Sequence, residues 1–265
     1  MIAFGAGGGA DTQARMIAKE MEDRLGWTVI PEQVTGKGGL NAAVELAKSS
    51  NDGTVIAMLV TESLGYNNTA NGSPVDLANI TPITTTAGFQ MGVVAKADKG
   101  WKDFGDVIAA AKAGEELTFG TMSAKLSDIA YLLGAANDFD FNVVQVRGGK
   151  AVMNGVMADD MDLGWMAGIQ AKGVQNGTLV NLASGIGKPL DVSPDAPLTT
   201  DYGVEYLADG YFMFAGPGGM PAEAAQAMAD VIAEAISDEG TDVGALIKRA
   251  FGGPTIIALD DLSAQ

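Results

Sequence analysis

The residues of this chain that can do chemistry gather at glycines. The run Phe4-Gly5-Ala6-Gly7-Gly8-Gly9-Ala10-Asp11 reads as a strand end, a tight turn and the start of a helix. The first N–H groups of a helix have no intrahelical acceptor, and the macrodipole is positive there. Such a turn therefore holds an anion without any cationic side chain. Ala6, Gly7, Gly8, Gly9, Ala10 and Asp11 are the leading candidates to bind a small carboxylate. Asp11 is expected to be the helix N-cap, with Arg15 spaced for an i,i+4 ion pair.

The same run also fits, loosely, the G-x-G-x-x-G/A pattern of dinucleotide sites, through Gly5, Gly7 and Ala10, with Glu32 as the ribose acceptor. An NAD(P)-dependent oxidoreductase is therefore the alternative reading. Two features weigh against it. Glu32 falls 27 residues after Gly5 where the pattern wants about 20, and Pro31 sits where the strand should deliver the acid.

Other turns repeat the arrangement. Thr35-Gly36-Lys37-Gly38-Gly39-Leu40-Asn41 opens a second helix, and Thr61, Glu62 and Ser63 follow the most apolar strand, where open α/β sheets place ligands. Later come Thr121, Met122 and Ser123 ahead of Lys125, then Arg147-Gly148-Gly149-Lys150. Trp165 is a candidate to cap the same cleft, although a tryptophan in an apolar strand is more often core. Each turn alone reads equally well as an ordinary tight loop; several of them at strand ends favour convergence on one cleft.

Several chemistries are excluded. The chain has no histidine and no cysteine, which removes disulfides, thiolate nucleophiles, zinc sites of the His/Cys type and every histidine-based triad. No carboxylate pair has the spacing of an acid and its base; Asp159-Asp160 and Asp260-Asp261 read as solvated ends. No catalysis, cofactor or metal is expected. With 33 acidic against 16 basic residues, a net charge of −17 repels a phosphate backbone and argues against nucleic acid. The excess acid fits a salty habitat in which screening tames self-repulsion. The longest apolar stretches, such as 55–60, fall far short of the roughly 20 residues a membrane helix needs.

Residues 1–4 read as a short strand that meets glycine at once, with no export signal before it, so a trimmed precursor with a new starting Met is expected. In total 265 residues, 47% hydrophobic, allow one large domain or two small ones. Strand-like runs at 27–30, 55–60, 91–95, 117–119, 143–146, 161–165, 179–183, 211–215 and 255–259 alternate with helical windows at 40–47, 104–113, 127–136, 150–157, 222–237 and 243–251. That alternation argues an α/β protein with largely parallel sheets. The clearest helix carries Ala14, Ile17, Ala18, Met21 and Leu25 on one stripe and closes at Gly26.

The ordered series FGAGGGADTQAR, TGKGGLNAA, NDGTVIAM, ITPITTT, TFGTMSAKLSD, VVQVRGGKAV, MDLGW and SPDAPLTTDYGVEYL resembles the TctC-like solute receptors of the tripartite tricarboxylate transporter group, the Bug receptors, over nearly the whole chain. The resemblance implies a periplasmic-binding-protein-like fold of type II. Two lobes, each a mixed sheet flanked by helices, would be joined by two crossing segments. Lobe I would hold 1–95 and 216–265 and lobe II 96–215, with the hinge in the strands at 91–95 and 211–215. It implies a periplasmic, monomeric binding protein, not an enzyme, that closes on a dicarboxylate, tricarboxylate, acidic amino acid or aromatic acid. The ligand would pass to a membrane permease or serve signalling. The 6–11 loop would bind the ligand carboxylate through main-chain amides, with Thr121, Met122 and Ser123 contributing from the second lobe. This chain departs from the family pattern at residues 125–129, which replace glycine and a histidine, at Gln145 and Val146, which replace a proline and an aromatic, and at Gly5-Ala6, where the pattern has proline. Contacts to the distal end of the ligand are left open by those changes.

Overall fold

The computed structural model of the chain describes residues 1–257. Numbered along the chain, its strands are β1 (Ala57–Val60), β2 (Ile80–Gly88), β3 (Gly92–Lys96), β4 (Thr118–Thr121), β5 (Asn142–Gln145), β6 (Leu163–Met166), β7 (Leu179–Ser184) and β8 (Tyr211–Pro217). The helices are α1 (Gly9–Leu25), α2 (Leu40–Leu46), α3 (Thr61–Leu64), α4 (Tyr66–Ala70), α5 (Phe104–Lys112), α6 (Ala124–Ala135), α7 (Gly149–Met157), α8 (Ala171–Gln175), α9 (Ala222–Ser237) and α10 (Asp242–Phe251). The chain divides into two compact units, Met1–Gly88 together with the chain from Gly210 onward, and Phe89–Asp209.

The first unit is built on a sheet of order β1-β8-β2, antiparallel throughout. Residues 1–4 lie along β1, and Ile2 is bridged in parallel to both Met58 and Gln33. On α1, Ala14, Ile17, Ala18 and Met21 are buried as their spacing requires, but Leu25 is exposed, because Gly26 turns into the left-handed region (φ 68°) and ends the helix there. α9 and α10 bury Ile232, Ile236, Ile247 and Phe251. No helix of the described residues is long and apolar enough to cross a membrane.

The second unit holds a five-stranded sheet of order β5-β4-β6-β3-β7. β4 runs parallel to β5 and β6, while β3 runs antiparallel to β6 and β7. The expected largely parallel sheets are thus corrected to one antiparallel and one mixed sheet. Alternating strands and helices fix the order of elements but not the direction in which a returning strand such as β8 enters its sheet. An aromatic cluster of Phe104, Phe119, Phe141, Trp165 and Tyr202 fills this unit, with Phe119 5.0 Å from Phe141 and 5.6 Å from Trp165 between ring centroids.

Two further expectations fail. Residues 27–30 form no strand and leave Trp27 and Ile30 exposed. Residues 255–257 form no strand either, although Thr255 N–H donates to Thr86 O (3.0 Å) beside β2; residues 258–259 of that run lie outside the described residues. Conversely β2, the longest described strand, is not among the expected strands; it carries Pro82, which cannot donate to a ladder. It is an edge strand whose register shifts between Pro82 and Thr84.

An ion-pair cluster closes one end of the second unit. Lys96 Nζ bonds Asp159 Oδ2 (2.7 Å) and lies 3.2 Å from Asp98, and Lys99 pairs with Asp162. The hydrogen bond from Lys96 holds the Asp159 carboxyl below its ordinary pKa. A carboxylate with a depressed folded pKa stabilises the fold above its unfolded value and loses that contribution as pH falls through the folded one. The melting temperature should therefore begin to drop below about pH 4, and Lys96→Met should flatten that part of the pH profile measured by circular dichroism. An unchanged profile would remove the pair from the account.

Candidate anion-binding turns

In the first unit three turns open at one end of the sheet. Ala3 N–H donates to Met58 O (3.1 Å) and Val34 N–H to Ile2 O (2.9 Å), so three segments run in the same direction. The turns that follow them, residues 5–8, 35–39 and 61–63, share the carboxyl end. β8 pairs Phe212 with Val60, and β2 pairs Gly88 with Tyr211. The two points where the chain leaves and rejoins this unit lie at that end as well.

The first turn differs from expectation in its cap. α1 starts at Gly9 with Gly8 as N-cap (φ −80°, ψ 174°) and no side-chain cap; Asp11 is the third helical residue. Its carboxylate reaches back to accept from Gly7 N–H (2.8 Å), Arg15 Nε (2.9 Å) and Gln33 Nε2 (3.1 Å). Asp11 therefore organises the loop instead of capping the helix. Gly7 takes a positive φ of 74°, which glycine adopts without strain. The first intrahelical bond is made by Thr12 N–H to Gly8 O (2.9 Å), so the N–H groups of Gly9, Ala10 and Asp11 lie ahead of the helical ladder. A side chain on Gly9 would bring its Cβ to 3.3 Å from the Phe251 ring and 3.4 Å from Phe212, two rings packed edge to face. Ala6 lies exposed at the tip.

The 61–63 turn is largely committed to structure. Thr61 Oγ1 accepts from Tyr211 N–H (3.1 Å), and Glu62 is buried in the short helix α3. Ser63 is fully buried and donates to Gly38 O (2.8 Å), which also accepts from Asn67 Nδ2 (3.3 Å). Gly36, Lys37, Gly38 and Gly39 all have positive φ, and a Cβ on Gly39 would sit 2.3 Å from Ser63 Oγ.

In the second unit the parallel strands β5, β4 and β6 bring their own following turns to one end. Thr121 is buried, with Oγ1 2.7 Å from Ser127 Oγ. Ser123 is the N-cap of α6, its Oγ accepting from Leu126 N–H (3.3 Å). Met122 is half-buried near the start of α7, 3.8 Å from where a Cβ on Gly149 would stand. α7 begins after Gly148 (φ 145°) with no side-chain cap, and the adjoining Arg147 is exposed. Trp165 is fully buried, its indole N–H donating to Leu126 O (3.0 Å); it is core that supports α6 and does not cap a cleft. Sequence reasoning missed Gln33 and Gln170, whose roles depend on partners far along the chain.

A groove of about 600 Å³, lined by Met1, Trp27, Ile30, Glu32, Asp52 and Met228 among others, lies at the amino ends of the first unit's strands. The backbone nitrogen of Met1 donates to Ile56 O (2.7 Å) beside it. Glu32 lines this groove and not the end where the glycine turn opens, so the expected pairing of the two around a dinucleotide is corrected. Among the described residues no group of three or more acidic side chains could hold a metal ion.

The fold is that of periplasmic binding proteins. A solved structure of a periplasmic transporter superimposes with a TM-score of 0.86 at 20% identity, covering 99% of this chain and 89% of that one. MatC of Rhodopseudomonas palustris with bound malate gives 0.81 at 19% identity, over 94% and 87% of the two chains. The R. palustris protein Rpa4515 with adipate gives 0.81 at 19% identity, over 99% and 90%. A relative from Agrobacterium vitis, a UPF0065 protein of the ttuE-ttuC' intergenic region, is 26% identical over 252 residues, 90% of this chain and 70% of its own length. The tripartite tricarboxylate transporter receptor family model matches residues 13–242, and the chain belongs to that family.

Proposed function

We propose that this chain is an extracytoplasmic receptor, located in the periplasm, that captures a small carboxylate by closure of its two units and delivers it to a tripartite tricarboxylate-type permease. The observation that carries the reading is the start of α1, where the N–H groups of Gly9, Ala10 and Asp11 lie ahead of the helical ladder and, among the described residues, the N-cap Gly8 makes no side-chain cap hydrogen bond. The net charge of −17 makes a main-chain donor site a sensible way to hold an anion. Malate in one structural neighbour and adipate in another favour a dicarboxylate. Ala6, Gly7, Gly8, Gly9, Ala10 and Asp11 form the first unit's contact, with Thr61 and Glu62 beside it. Met122 and Arg147 contribute from the second unit, where Thr121 and Ser123 shape the turn. Closure takes place where the chain passes between units, and the receptor acts as a monomer.

A thermal-shift panel of malate, adipate, citrate, aspartate and benzoate tests this. A ligand that binds only the folded state at 100 times its Kd adds about 2.7 kcal/mol, which at this size is a rise of roughly 5–10 °C. At least one dicarboxylate should give such a rise and compact the protein in X-ray scattering. Neither effect with any acid would overturn the reading.

A further inference from the structure

Three residues that follow the strand ends, Thr61 after β1, Lys125 after β4 and Gln170 after β6, each send a side chain to a place where the chain passes between units. In the first unit Thr61 Oγ1 accepts from Tyr211 N–H (3.1 Å), the residue that follows Gly210. In the second, Lys125 Nζ, in the first turn of α6, donates to Asp209 O (3.1 Å) and lies 3.4 Å from Asp209 Oδ1. Also in the second unit, the fully buried Gln170 follows β6; its Nε2 donates to Gln90 O (2.8 Å) while its Oε1 accepts from Gly168 N–H (2.7 Å). Gln90 Oε1 in turn accepts from Asp191 N–H (2.9 Å).

A cation in the first turn of a helix opposes the macrodipole, and the bond from Lys125 to Asp209 gives that cation a partner at the crossing. The residues flanking both unit boundaries are thus held from within their own units. The chain passes between units from Gly88 to Phe89 and from Asp209 to Gly210, and Gly210, at φ 153°, lies where glycine is favoured.

We propose that Thr61, Lys125 and Gln170 are positioning residues that tie the ligand-side turns to the two crossings, so that an anion seated on a turn biases the hinge. The proposal rests on the receptor reading for its purpose but not for its first test. Amide hydrogen exchange of the full chain without ligand should show Tyr211 N–H exchanging about tenfold faster in Thr61→Val, and residues 207–211 about tenfold faster in Lys125→Met. Thr61→Ser and Lys125→Arg, which keep the acceptor and the donor, should restore wild-type rates. In malate titrations Lys125→Met should weaken binding about tenfold with a melting temperature close to wild type. If wild type binds no acid of the panel, the receptor reading fails while the exchange result still decides the tie. Unchanged exchange of residues 207–211 in the valine and methionine variants overturns the proposal, whatever the wild type binds.

Discussion

Gly8→Asp should weaken carboxylate binding by about 100-fold or more without lowering the melting temperature. Gly8 is the N-cap of α1, its φ and ψ lie in the extended region that any residue adopts, and it makes no side-chain cap hydrogen bond. An N-cap aspartate places its carboxylate on the N–H groups of the second and third helical residues, here Ala10 and Asp11. That is where the proposed ligand oxygens sit. The variant would supply its own anion to the site and gain a few tenths of a kcal/mol from the cap. It would compete with charge-assisted bonds worth roughly 1.5–3 kcal/mol each, and two of them amount to the stated loss of affinity. The pairing of effects is diagnostic, since a variant that merely damages the fold loses stability and affinity together. Calorimetric titration beside a melting curve reads both, and unimpaired affinity would move the site elsewhere.

Asp11→Ala should cost about 2 kcal/mol of stability, in the range for leaving a buried donor without its acceptor. At this chain length that is a fall of roughly 4–8 °C. The carboxylate is nearly buried beside Arg15 and accepts from three donors, on Gly7, Arg15 and Gln33. Solvent reaches Arg15 and Gly7, which limits the cost, whereas the loop loses the acceptor that holds its left-handed residue in place. Asp11→Asn keeps one oxygen for Gly7 N–H and should recover about half of the loss. Equal melting temperatures for the three proteins would show that the loop holds itself.

Local signals in the sequence resolve well here, and distant ones do not. The period of Ala14, Ile17, Ala18 and Met21 finds α1, and the expected window at 222–237 coincides with α9, because a helix is specified by neighbours three and four residues apart. β2 is hidden by Pro82, which an edge strand tolerates and a central strand does not. β8 is legible as a strand, yet its place between β1 and β2 is set by residues more than 100 positions away. The site follows the same rule. A glycine turn before a helix announces a donor cluster from sequence alone. Asp11 reads as the cap in the sequence because its three donors include Gln33, which reaches it only where residues 1–4 and 32–34 run side by side. Trp165 is pulled into the core by Phe119 and Leu126, neither adjacent to it in the chain. The receptor family was legible for another reason, since the order of many short loops along the chain carries more information than any one of them.

The most direct measurement is an amide-resolved nuclear magnetic resonance titration with the acid that gives the largest thermal shift. If the ligand carboxylate rests on the opening of α1, the Gly9, Ala10 and Asp11 resonances move downfield and their exchange slows as the acid saturates. Saturation with those three amides unmoved, while resonances around the groove near Trp27 and Met228 respond instead, would contradict the account.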